Sequence, residues 1–186
     1  MAYPDPFRLR VMKALTAVIQ GVSPNDSNSD PDRPAYVNDL SQCVFRGRNL
    51  FGTNDPVPMI AILETPIALD QIEPPEESPK SKGLWDISIQ GFAKDDKDNP
   101  TDPAYVLAAD VIMALAHAKA APNRTRSGTG KAEPLLGIVA PNGKPAILDL
   151  RIGSPVCRPP DEISGKAYFW LGITLEIAED LEKPYD

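Results

Sequence analysis

Histidine and cysteine, on which most transition-metal and nucleophilic sites depend, are almost missing from this chain. Its 186 residues contain a single histidine, His117, and two cysteines, Cys43 and Cys157. The cysteines form no CxxC pair and have no histidine nearby, so we predict reduced thiols in a cytosolic compartment. No serine lies in a G-x-S-x-G sequence, and one histidine offers little base chemistry for a hydrolase. We therefore expect no catalytic residues, no metal ligands and no cofactor.

Basic charge and long apolar runs are also scarce. The formal net charge is −7, which argues against broad nucleic-acid binding because such binding needs a basic surface to neutralise phosphates. No apolar run approaches the roughly 18 residues that cross a bilayer. The N-terminal sequence MAYPDPFRLRVMK places prolines and charges where a signal peptide needs an apolar core. We expect a protein that is made and used in solution, without export.

Proline, in contrast, is abundant, and its positions delimit the regular structure. There are 21 prolines, roughly twice the average usage of about 5%. Because proline interrupts helix interiors and central strands, the windows between proline clusters are the ones that can hold helices and strands. Those windows predict a helix, two or three strands, a second helix and two strands. The predicted strands are 43–46, 57–64, 84–94, 146–152 and 166–180.

This order has no strict alternation of strands and helices, which predicts an α+β fold. We expect a mainly antiparallel sheet of about four to five strands, with two principal helices packed on one face and long polar loops. Residues 1–186 are predicted to form one domain. Its loops at about 20–40, 66–82 and 122–145 are predicted to be mobile.

Two aspartate-proline pairs predict where the helices start. Asp5-Pro6 and Asp102-Pro103 each place an N-cap acceptor directly before a proline at the first helical position. The first pair precedes FRLRVMKALTAVIQG, in which apolar residues recur on one stripe. The second pair precedes AYVLAADVIMALAHAKA, which is apolar on almost every side. A helix of that kind is buried on several faces, so we expect cover from the first helix or from a neighbouring subunit.

Three polar residues interrupt the second helix: Asp110, His117 and Lys119. Asp110 and His117 are separated by about 10 Å along the helix axis, at about 1.5 Å per residue. They share a stripe but cannot touch, so they do not form a catalytic dyad. We interpret them as a polar pair on the helix surface.

An acidic cluster comes directly before the second helix: Asp95, Asp96, Asp98 and Asp102. An EF-hand loop requires D-x-[DN]-x-[DN]-G, and neither possible register of this cluster matches it. Carboxylates are favoured near a helix N-terminus by the helix dipole and the free N–H groups. We therefore interpret the cluster as a helix start rather than a metal or acid–base site.

The basic residues of two loops are the candidate partner interface: Arg46, Arg48, Arg124, Arg126 and Lys131. Solvated loop charge is one interpretation of these residues. The other is contact with an acidic partner or with passing nucleic acid. The nearby SGTGK (127–131) lacks the first glycine and the final serine or threonine of a phosphate-binding loop.

An ordered set of motifs resembles the tail terminator, or tail-completion, proteins of long-tailed bacteriophages. The set comprises the N-terminal amphipathic helix, PMIAILETP, LWDISIQ, IQGFAKDDKDNPTDPAYVLAADV and a long alternating C-terminal strand. It spans most of residues 6–178. The loops at 20–40 and 122–145 carry no part of it.

The resemblance implies a function in virion assembly. It implies a small α+β subunit that forms a homo-oligomeric, six-fold ring at the head-proximal end of the tail tube. Such a ring ends tube polymerisation and offers a surface to the head–tail connector, while DNA passes through without specific binding. One alternative is a neck or connector completion protein on the portal side. The alternative from another class is a small metal-dependent hydrolase that uses Asp95, Asp96 and Asp98.

Overall fold

In the part of the chain that the structure describes, the regular structure consists of two helices, a short 3-10 helix and six strands. The computed structural model describes residues 4–25, 34–48, 51–52, 54–65, 80–120, 134–140, 143–161 and 165–185. In chain order the elements are α1 (Phe7–Gln20), β1 (Val44–Arg46), β2 (Met59–Glu64), β3 (Lys80–Phe92), α2 (Asp102–Ala120), the 3-10 helix (Leu135–Gly137), β4 (Ile147–Ile152), β5 (Val156–Arg158) and β6 (Tyr168–Asp180).

The strands form one mixed sheet in the order β1-β2-β3-β6-β4, and β5 also pairs with β6. β1 is parallel to β2, and the other pairings are antiparallel. β4 and β5 share one side of β6, where the Gly153 N–H donates to the Gly172 carbonyl oxygen at 2.9 Å. The predicted α+β fold is confirmed. The sheet has six strands rather than four to five because β5, a three-residue strand among prolines, was not predicted.

The core lies between the sheet and both helices. Trp85, Ile87 and Ile89 of β3 are buried on the helix side and pair with Leu175, Ile173 and Leu171 of β6. The alternating apolar residues of β3 and β6 therefore all face the helices, as the sequence predicts, because successive strand residues point to opposite faces. The residues that α1 buries are Phe7, Val11, Met12, Leu15, Thr16 and Ile19.

One glycine of the central strand β3 makes room for the largest fully buried side chain. A Cβ added at Gly91 would lie 2.0 Å from the Cε1 atom of Phe169. Gly91 and Phe169 are paired across β3 and β6, so the aromatic ring packs directly over the glycine backbone. The strand needs glycine here because the Phe169 ring occupies the space of any side chain.

The start of α1 differs from the prediction. Pro6, with ψ 153°, occupies the N-cap position and provides no side-chain hydrogen bond, so Asp5 is not the N-cap. Asp5 instead binds the Lys13 ammonium group at 2.6 Å. The Phe7 N–H donates to the Pro184 carbonyl oxygen at 2.7 Å, so the C-terminal segment satisfies an amide that a cap would otherwise bind.

The start of α2 lies within one residue of the prediction. The helix begins at Asp102 rather than at Pro103. The Thr101 carbonyl oxygen accepts hydrogen bonds from the N–H groups of Ala104 and Tyr105, at 3.0 and 3.2 Å. Asp102 therefore lies inside the first turn, where its negative charge is favourable to the helix dipole.

Parts of the three predicted mobile loops lie outside the described residues, namely 26–33, 66–79, 121–133 and 141–142. For these parts the prediction of mobility stays a prediction. In the described part of the first loop, Tyr36 and Leu40 are buried. The Leu40 N–H donates to the Val22 carbonyl oxygen at 2.9 Å, which ties this segment to the end of α1.

Candidate functional site

The first predicted interface residue, Arg46, points to the helix side of the sheet. It is paired with Ile62, which belongs to the core face of β2. Its Nη1 donates to the Thr16 hydroxyl at 2.9 Å, and Thr16 in turn donates to the Met12 carbonyl oxygen at 2.7 Å. Arg46 therefore fastens the edge strand β1 to α1.

The second predicted residue, Arg48, contacts the opposite side of the same edge. Its guanidinium carbon lies 4.4 Å from the centroid of the Phe45 ring, and its Nη1 donates to Asp55 at 2.6 Å. Asp55 also accepts the Gly52 N–H at 2.7 Å, so Arg48 holds the turn before β2. Arg46 and Arg48 thus contact opposite sides of the sheet and do not form one basic patch.

The other three predicted interface residues, Arg124, Arg126 and Lys131, lie outside the described residues. A basic rim formed by these residues stays a prediction. Arg158 of β5 is a further exposed cation on the side of the sheet that Arg48 contacts, because it pairs with Tyr168. Arg158 was not among the predicted interface residues, because β5 itself was not predicted.

The acidic cluster forms an exposed turn before α2. One oxygen of Asp96 accepts the N–H groups of Asp98 and Asn99, both at 2.9 Å, and these bonds hold the pKa of Asp96 below its ordinary value, Asn99 contributing most. Asp95 forms an ion pair with Lys166. Within the described ranges, no three His, Cys, Asp or Glu side chains are grouped to hold a metal ion. These bonds give the cluster a structural role at the helix entry.

Asp110 is buried rather than part of a polar pair on the helix surface. Its side chain accepts the Val37 N–H at 3.1 Å, and the backbone N–H and Nδ2 of Asn38, both at 2.8 Å. The residue is 4% exposed. The surface interpretation was wrong because the partners of Asp110 come from a segment that is distant in sequence. Asp110 fixes the segment before β1 against α2.

Aromatic side chains gather on the open face of the sheet, the face that points away from both helices. Three of the five phenylalanines are among them. Met59, Phe92 and Tyr168 are cross-strand neighbours on β2, β3 and β6. Ala61, Gln90 and Trp170 form the next row across the same three strands. We call Phe45, Phe51, Phe92, Tyr168 and Trp170 the aromatic rows.

Four of the five rings, those of Phe51, Phe92, Tyr168 and Trp170, form a chain of contacts. The ring centroids of Phe51 and Phe92 are 5.1 Å apart, those of Phe92 and Tyr168 are 6.3 Å apart, and those of Tyr168 and Trp170 are 5.4 Å apart. Trp170 is 44% exposed, and its β5 neighbour Val156 is also exposed. The sequence placed Tyr168 and Trp170 on the wet face of the last strand. Their contact with the other rings depends on strand register, which the sequence did not reveal.

A carboxylate at the edge of the aromatic rows alters the pKa of the Tyr168 phenol. The Tyr168 hydroxyl donates to Asp161 at 2.6 Å. This hydrogen bond and the charge of Asp161 raise the pKa of Tyr168 above its ordinary value, because the carboxylate disfavours the phenolate. Tyr168 is therefore a neutral donor at physiological pH, oriented by Asp161.

A second uncovered apolar surface runs along α2 on the side away from the sheet. Tyr105 is 57% exposed, and Val106, Ala109 and Ala116 are also exposed, with Met113 partly buried. We call these five residues the α2 stripe. Their spacing follows one face of a helix. α1 and the sheet do not cover this stripe. Of the two expected sources of cover, the first helix and a neighbouring subunit, the first helix therefore accounts for only part of α2.

The edge strand β4 is shielded by Lys119 from α2. The Lys119 ammonium group donates to the Leu150 carbonyl oxygen at 2.6 Å and lies 3.1 Å from an oxygen of Asp149. Its hydrogen bond holds the pKa of Asp149 below the ordinary value. Charges and covering groups on an edge strand hinder pairing with another sheet.

Comparisons with known proteins add no relative. No protein-family model matches the chain, and no curated protein matches it significantly. Of the helices in the described part of the chain, none combines the length and apolar character that a bilayer crossing requires.

Proposed function

We propose that this chain is the subunit of a ring that caps the head-proximal end of a bacteriophage tail tube. The ring ends tube polymerisation and presents a joining surface for the head connector, as the resemblance to tail terminator proteins implies. In this role the chain is a structural protein of the virion and not an enzyme. The ring is assembled in the cytoplasm of the bacterial host.

The observation that carries the proposal is the presence of uncovered apolar surface on both sides of a two-layer molecule. Trp170 of the aromatic rows and its neighbour Val156 are exposed on the outside of the sheet, and the α2 stripe lies on the outside of the helix layer. Contiguous apolar patches on a protein surface mark interaction sites. A ring subunit has a neighbour on each of two sides, and such heterologous contacts close when the rotation between copies permits.

The charge of the chain supports a passive channel for DNA. The net charge is −7, and like charges between protein and phosphate disfavour tight binding. DNA that moves through the ring therefore meets no strong general attraction. Contacts between the ring and DNA are confined to local basic groups, among which Arg124, Arg126 and Lys131 stay candidates.

The contacts of the acidic cluster fit a role at the start of α2 better than a role in hydrolysis. Asp95 is in an ion pair with Lys166, and Asp96 accepts two backbone N–H groups. A metal ion at these carboxylates would have to compete with both sets of bonds. If the chain is nevertheless a metal-dependent hydrolase, a divalent cation will raise its melting temperature by several degrees through preferential binding to the folded state.

The test is assembly on purified structures from a tailed phage that lacks its terminator. The protein is mixed with tail tubes, and separately with portal-bearing heads, and bound mass and negative-stain images are recorded. Rings at one end of the tubes, together with tubes of fixed length, support the proposal. Binding to heads alone supports the neck alternative. A monomer that ignores tubes and gains stability with a divalent cation contradicts the proposal.

A further inference from the structure

We propose that copies of this chain associate in solution through the α2 stripe of one copy and the aromatic rows of the next. This inference rests on the proposed ring function and names the surfaces that join its subunits. The partner is a second copy of the chain, because the same molecule presents both halves of the contact. One half lies on the open face of the sheet, and the other lies on the outer face of the helix layer.

The two surfaces differ in shape in the way that a close contact requires. Trp170 is the exposed member of the aromatic rows, at 44%, whereas Phe92 is buried and Phe45, Phe51 and Tyr168 are partly buried. The middle and end of the α2 stripe carry the small side chains of Ala109 and Ala116, which are both exposed. Aromatic side chains that fill shallow, well-packed positions are typical of the energetically dominant residues of an interface.

The lengths of the two surfaces also correspond. From Tyr105 to Ala116 the α2 stripe extends for about 17 Å, at about 1.5 Å per residue. The row that contains Phe45 and Trp170 crosses the five strand positions from β1 to β5. At roughly 4.8 Å between neighbouring strands, that row extends for about 19 Å.

Charge at the ends of the two surfaces is complementary. The α2 stripe begins next to Asp102 and the acidic turn that contains Asp98, both exposed. The aromatic rows are bordered by the cations Arg48, beside Phe45, and Arg158, which follows Tyr168 in its row. Opposite charges at the border of an apolar contact favour the encounter of two partners.

The position of the surfaces on opposite sides of the molecule determines what the contact can build. A contact between two unlike surfaces leaves one of each free, so further copies add and form a ring where the rotation between copies closes. A contact between two α2 stripes would be isologous and would stop at a dimer. The proposed contact therefore agrees with a ring, whereas the isologous contact does not.

Mixed cross-linking tests the contact directly. Both native cysteines are first replaced, Cys43→Ala and Cys157→Ala, and two proteins are made from this background, one with Ala109→Cys and one with Val156→Cys, which lies beside Trp170 and leaves that ring in place. A short bismaleimide is expected to give a product of twice the 20.2 kDa subunit mass when the two proteins are mixed. Each protein alone is expected to give none. Products from Ala109→Cys alone, or no product in the mixture at 100 μM subunits, overturn the proposal.

Weakening variants test the same contact without a cross-linker. Trp170→Ser is expected to raise the apparent dissociation constant of the association at least about 30-fold. Val106→Ser, on the other half of the contact, is also expected to raise the apparent dissociation constant. Leu84→Ser is the matched control, because Leu84 is 62% exposed on the same face of the sheet but at the opposite end of β3. Equal effects of all three variants contradict the proposal.

The outcomes separate this inference from the proposed function. Rings on tail tubes without a mixed cross-link leave the function standing and overturn the contact. A mixed cross-link without any binding to tubes supports the contact and overturns the tail function. Melting temperatures of Trp170→Ser and Val106→Ser within a few degrees of the parent show that lost association is not lost folding.

Discussion

Replacement of Asp110 by alanine removes the acceptor that holds the segment before β1 against α2. The carboxylate accepts the Val37 N–H at 3.1 Å, and the backbone N–H and Nδ2 of Asn38 at 2.8 Å. A hydrogen bond to a charged group contributes about 1.5 to 3 kcal/mol. Val37 is 67% exposed, so water can replace the lost acceptor for part of this set. We therefore expect Asp110→Ala to lower the free energy of unfolding by about 3 kcal/mol.

The matched control for Asp110 is Asp86, an exposed carboxylate in a similar bond. Asp86 accepts the hydroxyl of Thr174 at 2.6 Å. Because this bond is in contact with solvent, Asp86→Ala should lower the free energy of unfolding by about 0.5 kcal/mol. Asp110→Asn keeps one acceptor oxygen but replaces the other with an NH2 group, which is a donor and cannot accept the N–H groups of Val37 and Asn38. Its loss of unfolding free energy should therefore lie between these two values.

Urea unfolding followed by circular dichroism measures all three variants. We expect lower midpoints with an unchanged denaturant dependence. Hydrogen exchange gives an independent reading, since the amides of Val37 and Asn38 should lose protection in Asp110→Ala and keep it in Asp86→Ala. Equal losses of stability in Asp110→Ala and Asp86→Ala would show that burial adds nothing to the Asp110 bonds and would refute the reasoning.

Three further predictions follow from single contacts. Gly91→Ala should lower the free energy of unfolding by about 1 to 3 kcal/mol, because its Cβ would overlap the Phe169 ring; urea midpoints measure it. Lys119→Met should raise the pKa of Asp149 toward 3.8, as followed by carboxyl NMR titration. Since the folded pKa is lowered, the stabilisation from this pair is present above the unfolded pKa and is lost as pH falls through the folded value. The Cys157 thiol, whose pKa burial raises, should react slowly with maleimides at pH 7 compared with glutathione.

Strands with long, regular alternation could be predicted because their periodicity reports one buried face directly. Trp85, Ile87 and Ile89 show this, since each faces the helices as expected. β5 could not be predicted in the same way, because three residues do not establish a period and its pairing with β6 is not visible in the local sequence. The N-cap of α1 was mispredicted because the Pro184 carbonyl oxygen, from the far end of the chain, takes the bond that Asp5 was expected to make.

Contacts between distant segments account for most of what the sequence did not reveal about the candidate site. Asp110 looks like a surface residue in the helix sequence, yet its partners lie 72 and 73 positions earlier. Arg46 and Arg48 look like one basic pair, yet they contact opposite sides of the sheet, because β1 ends at Arg46 and the chain turns at Gly47, whose φ is 72°. The aromatic rows depend on the register of β2, β3 and β6, which no local pattern specifies.

The excess of apolar residues on α2 is the link between the sequence and the proposed assembly. The sequence indicates a helix that one small sheet cannot cover, and the structure buries Leu107, Val111 and Leu115 while Tyr105 and Val106 remain exposed. A single exposed apolar residue among polar neighbours, such as Leu84, is ordinary on a protein surface. A contiguous stripe with helical spacing is different, because its members can be buried together by one partner. The same reasoning applies to the exposed Trp170 and Val156 on the sheet, so the heterologous contact that we propose would cover both surfaces.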